Sequence, residues 1–167
     1  FERYETDRIE WVWSDDLGKW QVMNIAEGTV RGLETQTGWR HARGHRLTAG
    51  WSWLENDTQV DEDFVGKYTL LVPRHLLTAQ GTAALPVNLA FTATGRYVVH
   101  NDAAEEFANP AVDFRHYFVL DARLDWTGPA GWFAFVTGTN LLGRVYGEVP
   151  GVQMPGRLFT GSVGKRF

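Results

Sequence analysis

Two histidines, His41 and His45, stand four residues apart, the spacing by which a helix presents two imidazoles to one zinc ion. Here they flank Ala42, Arg43 and Gly44, with no glutamate between them, and the glycine marks a turn rather than a helix. Asp61, Glu62 and Asp63 concentrate carboxylate oxygens of the kind calcium takes, but without the EF-hand spacing, and they read as a solvated acidic loop. Asp121 and Asp125 bracket Arg123 at alternate positions. Paired carboxylates can perform acid–base chemistry; a cation set between two anions on one strand face reads instead as a charge ladder. No nucleophile elbow, phosphate loop or dinucleotide fingerprint is present. Neither an enzyme nor a cofactor is expected.

These residues sit in a chain whose dominant signal is alternation. Phe118, Leu120, Ala122, Leu124 and Trp126 share one parity, and Val119, Asp121, Arg123 and Asp125 the other. A helix would scatter both sets, whereas a strand puts each on its own face. Val87, Leu89, Phe91, Ala93, Tyr97 and Val99 alternate in the same way with Asn88, Ala90, Thr92, Thr94 and Arg96. So do Leu47, Ala49, Trp51 and Trp53 with Thr48, Gly50 and Ser52. The pattern predicts eight strands, near 5–13, 29–40, 46–54, 75–83, 87–99, 114–126, 132–142 and 157–167.

Between these strands the connections alternate in length. Residues 41–45, 84–86 and 127–131 are tight and rich in Gly and Pro, while 14–28, 55–74, 100–113 and 143–156 are long. A meander with every long loop at one end has the plan of an outer-membrane barrel, with short periplasmic turns and long outward loops. Eight strands then place both chain ends on the short-turn side, so the C-terminus is expected at the periplasmic rim.

Composition fits this expectation. The 167 residues suffice for one domain, spanning 1–167. A net charge of -4 argues against general nucleic-acid affinity, and the lack of cysteine excludes a disulfide framework. Aromatic residues make up 14% of the chain, eight of them Trp. Trp11, Trp13, Trp51, Trp53, Trp126 and Trp132 lie near expected strand ends, as interfacial girdles do. No apolar run is long enough for a membrane helix, and mean hydropathy is negative, as an alternating barrel strand averages out to be. The expected fold is therefore all-β, an antiparallel transmembrane β-barrel of eight strands. They are either the last eight of a larger barrel or a small barrel closed on itself.

The last stretch, GTNLLGRVYGEVPGVQMPGRLFTGSVGKRF, resembles the C-terminal end of TonB-dependent outer-membrane receptors through Asn140, Leu141, Tyr146, Pro155, Gly156, Arg157 and the terminal Phe167. Upstream, YETDRIEWV, NIAEGTVRGLE (through Asn24, Gly32 and Glu34) and VPRH resemble three further segments of that family, in order and spacing. Leu142 and Gly143 replace the family's usual Phe-Asp, and Lys165 stands where an outward aromatic is usual. The resemblance is closest to cobalamin and siderophore receptors. It implies uptake of a metal chelate or a cobalamin-like nutrient in the outer membrane, driven through TonB. It also implies contacts with outer-membrane lipid and with the barrel assembly machinery, for which Phe159, Val163 and Phe167 would be the terminal signature. The plug domain and TonB box of that family have no counterpart here, so the chain is expected to be a receptor's C-terminal barrel portion. The alternatives are a stand-alone eight-stranded barrel with a structural or accessory role in a membrane assembly, and a soluble β-sandwich binding module.

Small residues at Ala90, Thr92, Thr94, Gly138, Thr160, Ser162 and Gly164 are expected to line the lumen, with Glu34, Arg96, Asp121, Arg123 and Asp125 as candidates for an interior ion-pair network. Ligand contacts are expected from aromatic residues of the outward loops, Trp20, Phe64, Tyr68, Phe107 and Tyr146, since such side chains anchor ligands well.

Overall fold

A computed structural model describes residues 1–14, 16–58, 64–66, 72–100, 111–149 and 152–166. Among the described residues, nine strands form a single antiparallel sheet: β1 (Glu2–Ser14), β2 (Lys19–Arg40), β3 (Arg46–Thr58), β4 (Phe64–Gly66), β5 (His75–Leu85), β6 (Leu89–Val99), β7 (His116–Thr127), β8 (Trp132–Thr139) and β9 (Leu158–Lys165). Neighbours along the sheet run β4-β1-β2-β3-β5-β6-β7-β8-β9. Apart from β4, this is a meander in which each strand pairs with the next. The edges are β4 and β9, and among the described residues nothing joins them, so the sheet is open. A small barrel closed on itself is not what the chain forms.

Two departures from the sequence reading concern the first half. The stretch 14–28, expected as a long loop, is mostly strand: β1 and β2 pair from Glu2↔Arg31 to Ser14↔Lys19, with a turn at 16–18. Gly18 takes a φ of +58° there, which suits glycine. β2 thus runs for 22 residues, and its second half pairs with β3 from Gly28↔Thr58 to Arg40↔Arg46. The ninth strand is β4, three residues from the long connection after β3, which crosses to pair with Val12, Trp13 and Ser14. The connections at 100–115 and 140–157 keep their expected length. Phe167 lies outside the described residues, as does the acidic cluster at 61–63.

The tight turns follow local chemistry. Between β5 and β6, Val87 and Asn88 take φ of +55° and +58°. Two successive positive φ values have the twist of a type I′ hairpin turn. Asn accepts this conformation readily, whereas a β-branched valine does not. Between β7 and β8, Gly131 has a φ of +80°, and its carbonyl accepts the Arg166 N–H at 2.9 Å, which ties the end of β9 to the turn.

Register fixes the faces. One row runs Trp39↔Leu47↔Gly81↔Ala93↔Ala122, and another runs Thr35↔Trp51↔Leu77↔Tyr97↔Phe118. Phe91, Leu124, Val136, Phe159 and Val163 belong to the same face, and all five are exposed. The opposite face carries Thr48, Gln80, Thr92, Thr94, Arg96, Asp121, Arg123, Asp125, Thr160 and Ser162. Of the buried side chains, Val98, Tyr117 and Val119 lie on this second face and form a cluster with Tyr146, flanked by Leu76 and Met154, while Val12 and Ser14 of β1 fall by register on the first. The usual arrangement is inverted, with large apolar groups facing outward and the packed core on the polar side.

Two expected facings change with the register. Gly138 pairs with Phe159 and Ala122, which places it on the apolar face and not in the polar lining. Trp11 and Trp13, opposite Val22 and Trp20, share the parity of Arg3 and Val30. Val30 pairs with Asn56, and Glu34 with Ser52, so this is the polar face. The expected girdle therefore keeps Trp51, Trp53, Trp126 and Trp132 on one face but loses Trp11 and Trp13 to the other.

Candidate functional site

The connection between β8 and β9 returns over the polar face instead of standing away from it. Asn140 begins it, buried to 2% exposure and with a φ of +48°. Its backbone N–H donates to the Asp121 carboxylate at 2.8 Å. Its side-chain amide donates to the carbonyls of Arg144 (2.8 Å) and Pro155 (3.1 Å), while its Oδ1 accepts the Arg144 N–H at 2.9 Å. Every polar atom of the side chain is thus engaged, as burial demands. Arg157 then reaches back to the Leu142 carbonyl at 3.4 Å and lies against Gly143, where a Cβ would crowd its guanidinium. The resemblance residues Asn140, Pro155 and Arg157 form one clasp that closes both ends of the connection.

Inside the clasp, the described residues 144–149 and 152–154 form a strap. Asp113 donates its N–H to the Val145 carbonyl and accepts from Gly147, and the Arg144 guanidinium meets its carboxylate at 3.1 Å. Met154 N–H donates to Tyr146 O at 2.8 Å, and Val152 N–H to Val149 O at 3.0 Å. The strap lays Tyr146 on Tyr117, ring centroids 4.6 Å apart, and lays Glu148 on Arg96 at 2.6 Å. Burial pushes the Tyr146 phenol up from its ordinary pKa, against the pull of the Arg96 charge.

A second buried group borders this cluster. His100, 3% exposed, holds its Nδ1 2.9 Å from the Phe114 carbonyl, to which the ring N–H donates. Its ring stacks on Phe114 at 4.3 Å and lies 6.1 Å from Tyr117. Burial lowers its pKa, so the neutral ring is favoured.

The expected ion-pair network resolves into separate pairs. Arg123 and Asp125, two apart on β7, form a fork with contacts of 2.6 to 2.9 Å, and the guanidinium lies 3.9 Å above the Phe135 ring. Asp121 serves Asn140, and Arg96 serves the strap.

Of the expected ligand contacts, Tyr146 is 6% exposed and packs against the sheet. Trp20 is half-buried at the start of β2, edge-on to Trp13 at 5.6 Å. Phe64 lies in β4, while Tyr68 and Phe107 fall outside the described residues. Among the described residues no three His, Cys, Asp or Glu side chains converge as a metal site would require. His41 and His45 lie at an exposed turn, ring centroids 5.8 Å apart, and His41 Nδ1 accepts the Arg43 N–H. Arg96, His100 and Glu148 were not singled out as a group. Arg96 and Glu148 are 52 positions apart, so only the strap's return brings them together.

A hollow of about 550 Å3 lies on the other side. Its floor is the register row Thr37, Ala49, Ala79 and Gly95, and Trp51, Tyr97 and Phe118 wall it. It is a shallow apolar groove of the outward face, apart from the charged groups.

An open antiparallel meander with apolar groups outward, and a connection folded onto its polar side, has the form of a section of barrel wall. In agreement, the fold resembles part of the ferric-catecholate import receptor Fiu from E. coli K12, in the crystal structure of its closed form, with a TM-score of 0.60 and 14% identity. The match covers 98% of this chain and 24% of that one, so the chain spans about a quarter of that receptor's length. No family model matches the sequence. No curated protein matches it either.

Proposed function

We propose that this chain is the C-terminal part of the barrel of an outer-membrane uptake receptor of the TonB-dependent kind, taking in a metal chelate such as a siderophore. One observation carries the reading. Phe91, Leu124, Val136, Phe159 and Val163 are exposed on one face, while Arg96, Asp121, Arg123, Asp125 and the cluster of Val98, Tyr117, Val119 and Tyr146 occupy the other. In water, contiguous exposed apolar surface of this kind would aggregate; against lipid hydrocarbon it is the stable arrangement. The open edges at β4 and β9 fit a wall that continues into further strands, since unpaired strand backbone is not tolerated within a bilayer. The fold likeness to a ferric-catecholate receptor and the motif resemblance of the sequence support the substrate class.

In this reading the polar face looks into the lumen, and Trp20, Phe64, Tyr68 and Phe107 serve the outward ligand surface. Phe159, Val163 and Phe167 form the terminal signature for the assembly machinery, with the C-terminus on the periplasmic side.

The test uses the whole protein in its own cells, with radiolabelled ferric dihydroxybenzoate as probe. Uptake should fall when the protein, or TonB, is removed, and the protein should fractionate with the outer membrane. A soluble, monodisperse protein without detergent would sink the membrane reading. TonB-independent uptake would remove the receptor reading.

A further inference from the structure

The apolar groove is clear of the ion pairs of the polar face, yet at one end it meets a different set of charges. Its lining residues Thr37 and Ala49 lie two positions from Trp39 and Leu47, which pair with each other and are both exposed. Beyond them the β2–β3 hairpin turns at 41–45. That hairpin carries Arg40, Arg43 and Arg46, all exposed, with no acidic residue between Glu34 and Glu55. Arg40 stands directly opposite Arg46 in the closing rung of the ladder. Like charges placed this way destabilise a hairpin. Among the described residues no carboxylate pairs with any of the three. The neighbouring hairpin lays Ala84, an apolar residue, against Gly44. His41 N–H donates to the His45 carbonyl at 2.9 Å, and the rings of Trp39, His41 and His45 follow one another at 5.6 and 5.8 Å on the parity of the groove.

A cationic tip beside an apolar hollow of small-molecule size is the two-part complement of an amphiphile with an anionic head. We propose that the β2–β3 hairpin and the groove are a docking site for one anionic phospholipid. Its phosphate lies at Arg43, with Arg40 and Arg46, and one acyl chain lies along Thr37, Ala49 and Ala79 between the walls of Trp51 and Tyr97. The site rests on the barrel reading, in that the groove's face must meet lipid. Arg43 sits at the apex of the turn. Arg40 and Arg46 fall by register on the opposite parity, but the sheet ends at their rung, and an arginine stem is long enough to carry its head round a rim into the polar layer. The phosphate supplies the counter-charge that the hairpin lacks and offsets the repulsion of Arg40 and Arg46. Trp39 then stands between head and acyl chain, the level at which tryptophan is enriched in membranes.

The experiment takes the whole protein, extracted from its membrane in detergent, and titrates it with phosphatidylglycerol or phosphatidylcholine of the same acyl chains. Native mass spectrometry counts the lipids retained. Phosphatidylglycerol should be held about fivefold more tightly, the factor that one basic group near an anionic surface is worth. Replacing the three arginines together (Arg40→Gln, Arg43→Gln, Arg46→Gln) should bring that ratio to about one. Should that variant fail to assemble, Arg43→Gln alone, at an exposed turn, should still lower the ratio. Ala79→Leu, which fills the groove, should weaken both lipids and leave the ratio unchanged. Equal retention of the two lipids, or a ratio that survives the arginine replacements, overturns the site. So does an Ala79→Leu variant that holds both lipids normally, or displacement of the lipid by glycerol phosphate, since either would leave a bare anion site. Heat-modifiable gel mobility of the outer-membrane fraction separates the two claims. A folded membrane protein with no preference for phosphatidylglycerol sinks the docking site alone, whereas recovery of the protein from the soluble fraction sinks the barrel reading and the site with it.

Discussion

Asn140 reaches across fifteen positions to Pro155, its side-chain amide donating to the Pro155 carbonyl at 3.1 Å. With its two bonds to Arg144, this contact closes the strap. Asn140→Ala removes three hydrogen bonds from a buried site, at about 1 kcal/mol each, so a loss of about 3 kcal/mol is expected in urea unfolding of the detergent-folded protein. The φ of +48° separates the two contributions. Asn140→Gly relieves the backbone but still loses the bonds, so it should recover only part of the loss. Both variants should open 144–154 to limited proteolysis.

The facing of β6 predicts an asymmetry between neighbours. Phe91 is exposed on the apolar face, opposite Leu124, while Thr92 stands opposite Arg123 and within 3.1 Å of the Thr82 hydroxyl. If the apolar face meets lipid as proposed, Phe91→Arg should cost about 1 to 2 kcal/mol, between the midplane and interface values for arginine on a lipid-facing strand. Thr92→Asp gains the Arg123 cation as a neighbour and should cost much less. Folding yields in detergent or vesicles measure both, and equal losses would refute the facing.

At the β5–β6 turn, Val87 is 74% exposed and holds a positive φ that a β-branched side chain resists. Val87→Asn keeps the turn and removes the strain. It should stabilise the protein by about 1 kcal/mol, seen as a higher urea midpoint with an unchanged slope.

His100 predicts a pH effect with a definite sign. Its folded pKa lies below the usual 6.5, so the folded state favours the neutral ring. Its contribution is complete above about pH 6.5 and is lost as pH falls towards the folded value, because the unfolded chain then binds the extra proton. Among the described residues, the groups that face it are the Phe114 carbonyl and ring, the Tyr117 ring and, through its charge, Glu148. Hydrogen exchange at the His100 and Asp113 amides should rise between pH 7 and pH 5, and His100→Gln should flatten that rise.

The sheet itself was legible wherever side chains alternate cleanly. In β6 and β7 the period of two assigns each face, and the register agrees. It failed in the first half of β2, where Asn24 to Gly28 reads as a loop yet pairs with β1 throughout. Backbone pairing sustains that stretch, and backbone pairing leaves no side-chain pattern to read. Gly138 was assigned to the wrong face because a glycine declares no facing of its own. The clasp was half legible: Asn140, Pro155 and Arg157 stood out as motif residues, but their mutual contacts depend on a return of the chain that no local spacing records. For the same reason Tyr146 was expected on an outer surface, while it lies buried on Tyr117.

The inverted packing also redistributes tolerance to mutation. In a water-soluble protein, large apolar residues interlock, and each constrains its neighbours' shape. Here Leu77, Phe91, Leu124, Val136 and Val163 stand side by side on an exposed face. In the membrane setting proposed above, a fluid hydrocarbon surround sets no fixed shape for them, so exchanges among Leu, Val, Ile and Phe there should be nearly silent. The constrained positions are small and polar ones such as Asn140, Asp121, Asp113 and Gly143, where chain meets chain. Homologous sequences are therefore expected to drift fastest at the very residues that look most like a hydrophobic core.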